Sequence, residues 1–370
     1  MDAEPSRGAG GADPAADPMI VATATAVPPH SATQAEVRER LRALLPLDSR
    51  RLAAALTLFD HTAVERRHSV YPIGDFGRPR SLGESMVLYR ACAIALGREV
   101  ATRALAAAGV RAEEIDLVVT VSCTGILIPS LDVYLADELG FRRDVRRLPL
   151  TELGCAGGAA ALGRAHDFLR GFPAARVLVV AVELPSLSLQ RHDVTPANLV
   201  STALFGDGAA AVVLVGPAAE RRPARALRVL EAGSHVFPRT TDALGFDLRD
   251  DGFHTVLSKD VPVLLKREIG ALVRALAARR GLGRDDLSFF VLHPGGPKIL
   301  GVVEEELHLS RTDTQPSWDT LRDCGNQSSA SVLFVLDRHL AERPPRAGAR
   351  GLLAAFGPGL SVDLLLLEAA

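Results

Sequence analysis

The stretch LGCAGGAAAL at residues 153–162 decides how the rest of the chain is interpreted. One cysteine, Cys155, precedes a run of glycine and alanine with helical character. At a helix N-terminus, unpaired backbone N–H groups and the helix dipole favour negative charge, so we expect a lowered pKa for the Cys155 thiol. The glycines allow close approach of backbone and substrate. Ordinary packing also suits a lone cysteine in such a helix, and a second copy of the stretch decides between the two interpretations.

Three segments of the first half of the chain recur, in the same order, in the second half. The pairs are GCAGGAAAL (154–162) with GNQSSASVL (325–333), DLVVTVSCTG (116–125) with DLSFFVLHPG (286–295), and LFGDGAA (204–210) with AFGPGLS (355–361). This repetition predicts two related halves whose equivalent elements meet near one site. Cys155 aligns with Asn326, and His293 ends the repeated strand, so we expect these three residues to share that site.

Composition limits the class of protein. The 370 residues are 48% hydrophobic with a formal net charge of −2, which predicts a large core and gives no reason to propose a nucleic-acid partner. The four cysteines lack CxxC spacing, so neither a disulfide framework nor a metal site is expected, and a free thiol suits a cytoplasmic location. No apolar run reaches the roughly 20 residues of a membrane helix. The first 17 residues lack the features of a signal peptide.

Strands and helices alternate along the chain, which predicts an α/β architecture. The unbroken apolar strand at 115–122 indicates a sheet with both faces covered. Segment 216–225 is rich in Pro, Ala, Glu and Arg and is the predicted joint between the halves. The predicted units are a disordered N-terminal tail (1–17), an N-terminal half with the nucleophilic cysteine (18–222) and a C-terminal half with the histidine and asparagine (223–370).

Cysteine, histidine and asparagine together indicate acyl transfer. Cys155 would attack a thioester and hold the acyl group, and His293 would generate or stabilise the thiolate. The imidazole N–H and the amide N–H groups of Asn326 would hold the enolate oxygen that forms when a malonyl thioester loses carbon dioxide. A carboxylate in place of Asn326 would repel that enolate. The alternatives are a Cys–His–Asn thiol hydrolase and a non-catalytic scaffold.

Five motifs make the chain similar to the type III polyketide synthases of the chalcone and stilbene synthase superfamily, in a bacterial form. They are GC at 154–155, LFGDGAAA at 204–211, LHPGGPKIL at 292–300, GNQSSA at 325–330 and FGPG at 356–359. The HPGGPK and GNQSS blocks together separate the chain from ketoacyl carrier-protein synthase III. The resemblance runs from about Ile20 to Leu367.

This resemblance implies a thiolase-like, duplicated αβαβα fold and a homodimer. It also implies iterative decarboxylative condensation of malonyl-CoA onto an acyl-CoA starter, followed by cyclisation. Coenzyme A thioesters would be the substrates. No carrier protein, metal or further cofactor is expected.

The resemblance further implies roles for single residues. Cys155 is the expected nucleophile, and His293 with Asn326 is the expected decarboxylation and oxyanion pair. Phe205 is the expected gatekeeper between the coenzyme A tunnel and the cavity, and Ile128 is expected to reach across a dimer. The other expected cavity residues are Cys123, Pro185, Thr255, Ser328, Gly357 and Pro358. The residues expected to bind coenzyme A are Arg66, Arg67 and Lys298. The alternative is that these basic residues belong to a solvated face.

Departures from the plant pattern bear on the starter. Thr255 stands where the family has a second aromatic gatekeeper, Cys123 stands where plant chalcone synthases have threonine, and Pro185 takes another cavity position. Smaller groups would open a tunnel for an acyl chain, so we expect a medium- or long-chain acyl-CoA starter and alkylpyrone or alkylresorcinol products. The alternative is a malonyl-primed tetrahydroxynaphthalene synthase, which is disfavoured because several bacterial members with that activity have more cavity cysteines.

Overall fold

The computed structural model describes residues 17–45, 47–219 and 226–370. The strands of this part are β1 (Met19–Ala26), β2 (His30–Thr33), β3 (Arg66–Ser69), β4 (Leu117–Val121), β5 (Arg146–Leu150), β6 (Arg176–Glu183), β7 (Gly208–Val215), β8 (Leu227–Val236), β9 (Leu244–Arg249), β10 (Gly252–Leu257), β11 (Leu287–Leu292), β12 (Arg350–Gly357) and β13 (Ser361–Ala369). The helices are α1 (Gln34–Leu44), α2 (Ser49–Thr57), α3 (Leu82–Ala108), α4 (Leu131–Leu139), α5 (Gly157–Gly171), α6 (Pro196–Leu204), α7 (Val261–Ala278), α8 (Pro297–Glu306), α9 (Gln315–Cys324) and α10 (Ser331–Glu342).

Local sequence signals begin and end the helices. The Thr33 side chain accepts a hydrogen bond from the Glu36 N–H, and the Glu36 carboxylate accepts one from the Thr33 N–H at 2.7 Å, which caps α1. Ser81 and Glu84 form the same box at the start of α3, and Gly109 ends α3 in the left-handed conformation with a φ of 62°. Each such N-cap contributes about 1 kcal/mol to stability.

Four strands of each half have the same arrangement, and the first half adds β5 at its edge. The first half has the order β5-β4-β6-β7-β1 and the second has the order β11-β12-β13-β8. Strand β4 is parallel to β6 and β6 is antiparallel to β7, just as β11 is parallel to β12 and β12 is antiparallel to β13. A short antiparallel contact between β1 and β8 joins the halves. The duplication predicted from the repeated segments is therefore confirmed.

Alternate residues of each strand face different helical layers. In β6, residues 178, 180 and 182 pack in the core that contains α3, whereas residues 177, 179 and 181 pack in the core that contains α5 and α10. In β12, residues 353 and 355 belong to that same central core, and residues 352 and 354 belong to the core that contains α7. The layers are therefore α3, first sheet, α5 with α10, second sheet and α7. The predicted thiolase-like αβαβα fold is confirmed.

Two regions differ from the expectation or lie beyond the described residues. Strands β9 and β10 form an antiparallel hairpin that the sequence analysis did not predict. Most of the predicted tail lies outside the described residues, but Asp17 is buried and forms an ion pair with Arg280 at 2.9 Å. The predicted joint is described only through residue 219. Within the described ranges, no helix has the length and apolar character that crossing a membrane requires.

Candidate active site

Close contact at the start of α5 brings the cysteine to the second half of the chain. A methyl group on Gly158 would lie 2.2 Å from the carbonyl oxygen of Ser329, in the 3₁₀ turn that precedes α10. A methyl group on Gly154 would lie 2.4 Å from Cδ of Pro358, and Gly154 has a φ of 49°. Glycine is therefore required at both positions. The short 3₁₀ turn that carries Cys155 lies between the β12–β13 turn and the start of α10.

The Ser328 hydroxyl contacts two thiols. Its Oγ lies 3.5 Å from Sγ of Cys155 and 3.2 Å from Sγ of Cys123. The Ser328 N–H and the Ser331 hydroxyl donate to Oδ1 of Asn326 at 2.8 and 3.2 Å. The Asn326 amide N–H group is then left to donate toward Cys155, and this hydrogen bond lowers the pKa of the thiol. Cys155 and Asn326 are therefore brought together as predicted.

His293 follows β11 at its carboxyl end. Its backbone N–H donates to the carbonyl of Ala354 on the neighbouring strand β12 at 2.8 Å. Strand β12 ends at Gly357, where a methyl group would lie 2.5 Å from the carbonyl oxygen of Leu153, two residues before the nucleophile candidate. The ring of His293 is buried, and its Nδ1 has no hydrogen-bond partner in the described part of the chain.

The segment at residues 204–206 contacts both Asn326 and the turn that follows His293. The Asn326 N–H donates to the Leu204 carbonyl at 2.8 Å, and the Gly206 N–H donates to the Asn326 carbonyl at 3.0 Å. A methyl group on Gly296, three residues after His293, would lie 3.5 Å from Cδ1 of Leu204. The elements that hold the three predicted catalytic residues therefore meet in one region.

Burial dominates the pKa values of the thiol and the imidazole. It raises the pKa of Cys155 to about 11, although Ser328 and Asn326 lower it, and it lowers the pKa of His293 to about 3. The lowered thiol pKa expected from a helix N-terminus is therefore wrong for this geometry. The physical reason is that loss of solvation outweighs the hydrogen bonds to the sulfur. Both groups are uncharged at neutral pH.

Glu183 is a functional candidate that the sequence analysis did not single out. It is fully buried at the end of β6 and accepts hydrogen bonds from the Thr124 hydroxyl at 2.6 Å, the Cys123 N–H at 3.2 Å and the Ser329 hydroxyl. Burial raises its pKa, and its charge raises the pKa of Cys155. An acidic residue at the end of an otherwise apolar strand was the sequence signal that could have identified it.

A separate pocket contains three of the expected cavity residues, Phe205, Pro185 and Thr255. It also contains Phe246, which lies opposite Thr255 in the β9–β10 hairpin and whose ring meets Phe253 edge-on at 5.7 Å. The neighbouring strand therefore supplies an aromatic ring to this wall. The expected cavity residues that do not line this pocket, and instead lie around the nucleophile candidate, are Cys123, Ser328, Gly357 and Pro358.

Arg67 does not bind a phosphate at the surface, and that prediction is wrong. The residue is buried, and its η nitrogens donate to the carbonyls of Thr202, Ala203 and Phe205 and to the Gln34 side chain. The three carbonyls lie at the end of α6, so the guanidinium stabilises the helix end that leads to Phe205. The other residues predicted to bind coenzyme A are exposed and keep that prediction: Arg66 and Lys298.

Comparison with known protein families decides the family to which the chain belongs. The family model described as the N-terminal domain of chalcone and stilbene synthases matches residues 9–218, and the model of their C-terminal domain matches residues 228–370. The chain belongs to the chalcone and stilbene synthase family. It is a type III polyketide synthase with a thiolase-like fold, and it is an acyltransferase.

Relatives of this polyketide synthase cover nearly its whole length. A 1,3,6,8-tetrahydroxynaphthalene synthase of Streptomyces peucetius subsp. caesius is 40% identical over 349 residues, which are 94% of this chain and 92% of the relative. The alpha-pyrone synthesis polyketide synthase-like Pks18 of Mycobacterium tuberculosis is 30% identical over 367 residues, 96% and 93% of the two chains. The crystal structure of the tetrahydroxynaphthalene synthase of Streptomyces coelicolor A3(2) has a TM-score of 0.89 at 36% identity, and covers 95% of this chain and 99% of that one.

Proposed function

We propose that this polyketide synthase condenses malonyl-CoA units by repeated decarboxylation, with Cys155 as the residue that carries the growing chain. The observation that supports this is the contact of the Cys155 thiol with Ser328 and Asn326. His293 is bonded through its backbone to β12, and the end of β12 meets the turn that carries Cys155. A condensing site needs a thiol to hold the acyl group and uncharged donors for the enolate oxygen. Asn326 and a neutral His293 supply such donors.

The uncharged resting state sets the order of the proton transfers. Cys155 gives its proton to His293 as the sulfur attacks the thioester carbonyl. The acyl group moves to the sulfur, and the departing coenzyme A thiolate takes the proton from His293. A malonyl-CoA then loses its carboxylate as carbon dioxide, and the enolate oxygen accepts hydrogen bonds from Asn326 and His293. The enolate carbon attacks the acyl-cysteine thioester, a carbon–carbon bond forms, and the Cys155 thiolate leaves.

We propose malonyl-CoA as the starter as well as the extender. The name of the 40% identical relative, a tetrahydroxynaphthalene synthase, supports this choice over the acyl chain expected from the sequence. The side chains of the pocket beside Phe205 support it too, because Arg67, Ser188, Asn198 and Ser201 are all polar. Such groups suit an oxygenated chain better than an alkyl chain, which leaves buried polar atoms without partners. The expected product class is then a tetrahydroxynaphthalene.

A medium- or long-chain acyl-CoA starter is the second candidate, with alkylpyrone or alkylresorcinol products. The same pocket has an apolar side, formed by Val37, Ile73, Phe76 and Leu189, that suits an alkyl chain. The name of the 30% identical relative, which refers to alpha-pyrone synthesis, supports this candidate.

The proposal includes a homodimer. Ile128 is 94% exposed, and Val87 and Ile126 are 63% and 46% exposed. A subunit interface covers apolar side chains of this kind. Light scattering on the purified chain should give the mass of a dimer, and Ile128→Asp should shift the equilibrium toward the monomer.

Product analysis distinguishes these functions. Purified enzyme is given ¹³C-labelled malonyl-CoA, either alone or with a series of unlabelled acyl-CoA starters. The masses of the products are then measured by mass spectrometry. We expect malonyl-CoA alone to give a product in which every carbon is labelled. Incorporation of an unlabelled acyl chain at a higher rate supports the second candidate. Thioester hydrolysis without a condensed product contradicts both. Because no metal or further cofactor is proposed, EDTA should leave the rate unchanged.

A further inference from the structure

Four residues that line the pocket beside Phe205 contribute buried polar atoms that have no hydrogen-bond partner among the residues the structure describes. They are Nε of Arg67, Nδ1 of His68 and the hydroxyl oxygens of Ser188 and Ser201. Arg67 is 6% exposed and Ser201 is 8% exposed. Leaving buried polar groups unpaired costs free energy, so native sites with several such groups require an explanation. Four of them around one pocket indicate that a ligand supplies the missing partners.

Arg67 adds a positive charge that no carboxylate of the described ranges neutralises. Its η nitrogens donate to backbone carbonyls of residues 202, 203 and 205 and to the amide oxygen of Gln34, which are all uncharged. Burial lowers the pKa of Arg67 to about 10, so it remains a cation at neutral pH. The buried carboxylate of Asp207 is occupied by the Val70 N–H and by the N–H and hydroxyl of Ser186. A buried cation in this position favours an anionic ligand.

The position of the pocket connects it to the reaction. Phe205 lines the pocket, and its backbone forms a bridge with Asn326. The Gly206 N–H donates to the Asn326 carbonyl at 3.0 Å. Through the backbone of residues 205 and 206, the pocket therefore adjoins the segment that holds Asn326 next to Cys155.

We propose that Arg67, His68, Ser188 and Ser201 form a subsite for an anionic oxygen at the distal end of the growing poly-β-keto chain. That oxygen belongs to a terminal carboxylate of the starter or to an enolate of the chain. Nε of Arg67 donates a charge-assisted hydrogen bond, and the two serine hydroxyls donate further bonds. The inference rests on the proposed function. It predicts that the enzyme selects starters with a charged terminus over alkyl starters of equal length.

Acyl loading of Cys155 involves no condensation step, and it tests whether the subsite binds a terminal carboxylate of the starter. Intact-protein mass spectrometry follows loading from three matched pairs of thioesters: succinyl- and butyryl-CoA, glutaryl- and valeryl-CoA, and adipyl- and hexanoyl-CoA. In at least one pair the wild type should load the carboxylate-bearing member about tenfold faster, the effect of one charge-assisted hydrogen bond. Ser201→Ala and Ser188→Ala should reduce that preference severalfold, and Arg67→Gln should remove it.

A matched control separates the subsite from structural effects. Ser69→Ala removes a hydroxyl of the same pocket that already donates to the Tyr71 carbonyl at 2.5 Å. This variant should keep the wild-type preference. Because the η nitrogens of Arg67 hold the end of α6, Arg67→Gln is judged only if it melts cooperatively, and the two serine variants carry the test otherwise.

A second experiment tests whether the subsite binds an enolate oxygen of the growing chain. With malonyl-CoA as the single substrate, Ser201→Ala should shift the product distribution toward shorter chains, while Ser69→Ala should not. Equal loading within every pair, together with unchanged product lengths in the serine variants, overturns the subsite. Failure of the wild type to load any acyl group on Cys155 contradicts the proposed function instead, so the two failures are distinguishable.

Discussion

Replacing Gly158 with alanine tests whether the contact between α5 and α10 positions the reacting groups. The added Cβ would lie 2.2 Å from the carbonyl oxygen of Ser329 and 3.0 Å from Cγ1 of Val332. Favourable contacts between non-bonded heavy atoms begin at about 3.5 Å. The starts of the two helices therefore have to separate by about 1 Å, which moves Cys155 relative to Asn326.

The two competing energies predict a modest loss of stability and a large loss of activity. Overpacking costs about 1–3 kcal/mol, whereas replacing a helical glycine with alanine gains about 0.5–1 kcal/mol. The free energy of unfolding should therefore fall by at most about 2.5 kcal/mol. Because a misplacement of 1 Å costs about 100-fold in rate, kcat for condensation should fall about 100-fold, with little change in the KM for malonyl-CoA.

Gly163→Ala on the same helix is the control. Its added Cβ would lie 3.5 Å from Cβ of Ala232, an ordinary contact. This variant should keep wild-type activity and should melt at the same or a higher temperature. Thermal melting followed by circular dichroism and steady-state product formation measure the two effects. Wild-type condensation by a folded Gly158→Ala enzyme refutes the reasoning that this contact positions Cys155.

Two further substitutions address the catalytic pair. His293→Ala should slow acyl loading of Cys155 by about 100-fold or more, because no imidazole remains to accept the thiol proton and return it to the departing coenzyme A thiolate; loading at the wild-type rate contradicts the role of His293. Asn326→Asp should lower carbon dioxide release from malonyl-CoA by about 100-fold, because a carboxylate repels the enolate. Acyl loading of Cys155 should persist in Asn326→Asp, and undiminished decarboxylation contradicts the enolate assignment.

Repetition made most of the fold predictable. The three repeated segments became equivalent elements: strands β4 and β11, the starts of α5 and α10, and the turns that lead into β7 and β13. Buried strands such as 177–182 have no polar positions, so their two-sided burial was visible in the sequence. The β9–β10 hairpin was not predicted, because its residues are mostly half-buried or exposed and show no clear apolar alternation.

The misassigned residues depend on neighbours that a sequence does not show. Arg66 and Arg67 are two identical neighbouring residues in the sequence. Successive side chains of a strand point to opposite faces, so in β3 Arg66 is exposed and Arg67 is buried. The pKa of Cys155 was predicted in the wrong direction because desolvation depends on the packing around the sulfur. Glu183 acquires significance only when the strand that ends with it lies beside Cys123 and Ser329.

Mapping the acyl group during turnover tests the central claim most directly. A rapidly quenched reaction with malonyl-CoA is digested, and mass spectrometry locates the thioester-bound chain among the cysteine-containing peptides. We predict that the chain is attached to Cys155, and that Cys155→Ala forms no product. Attachment to the neighbouring thiol of Cys123, or product formation by Cys155→Ala, would contradict the account.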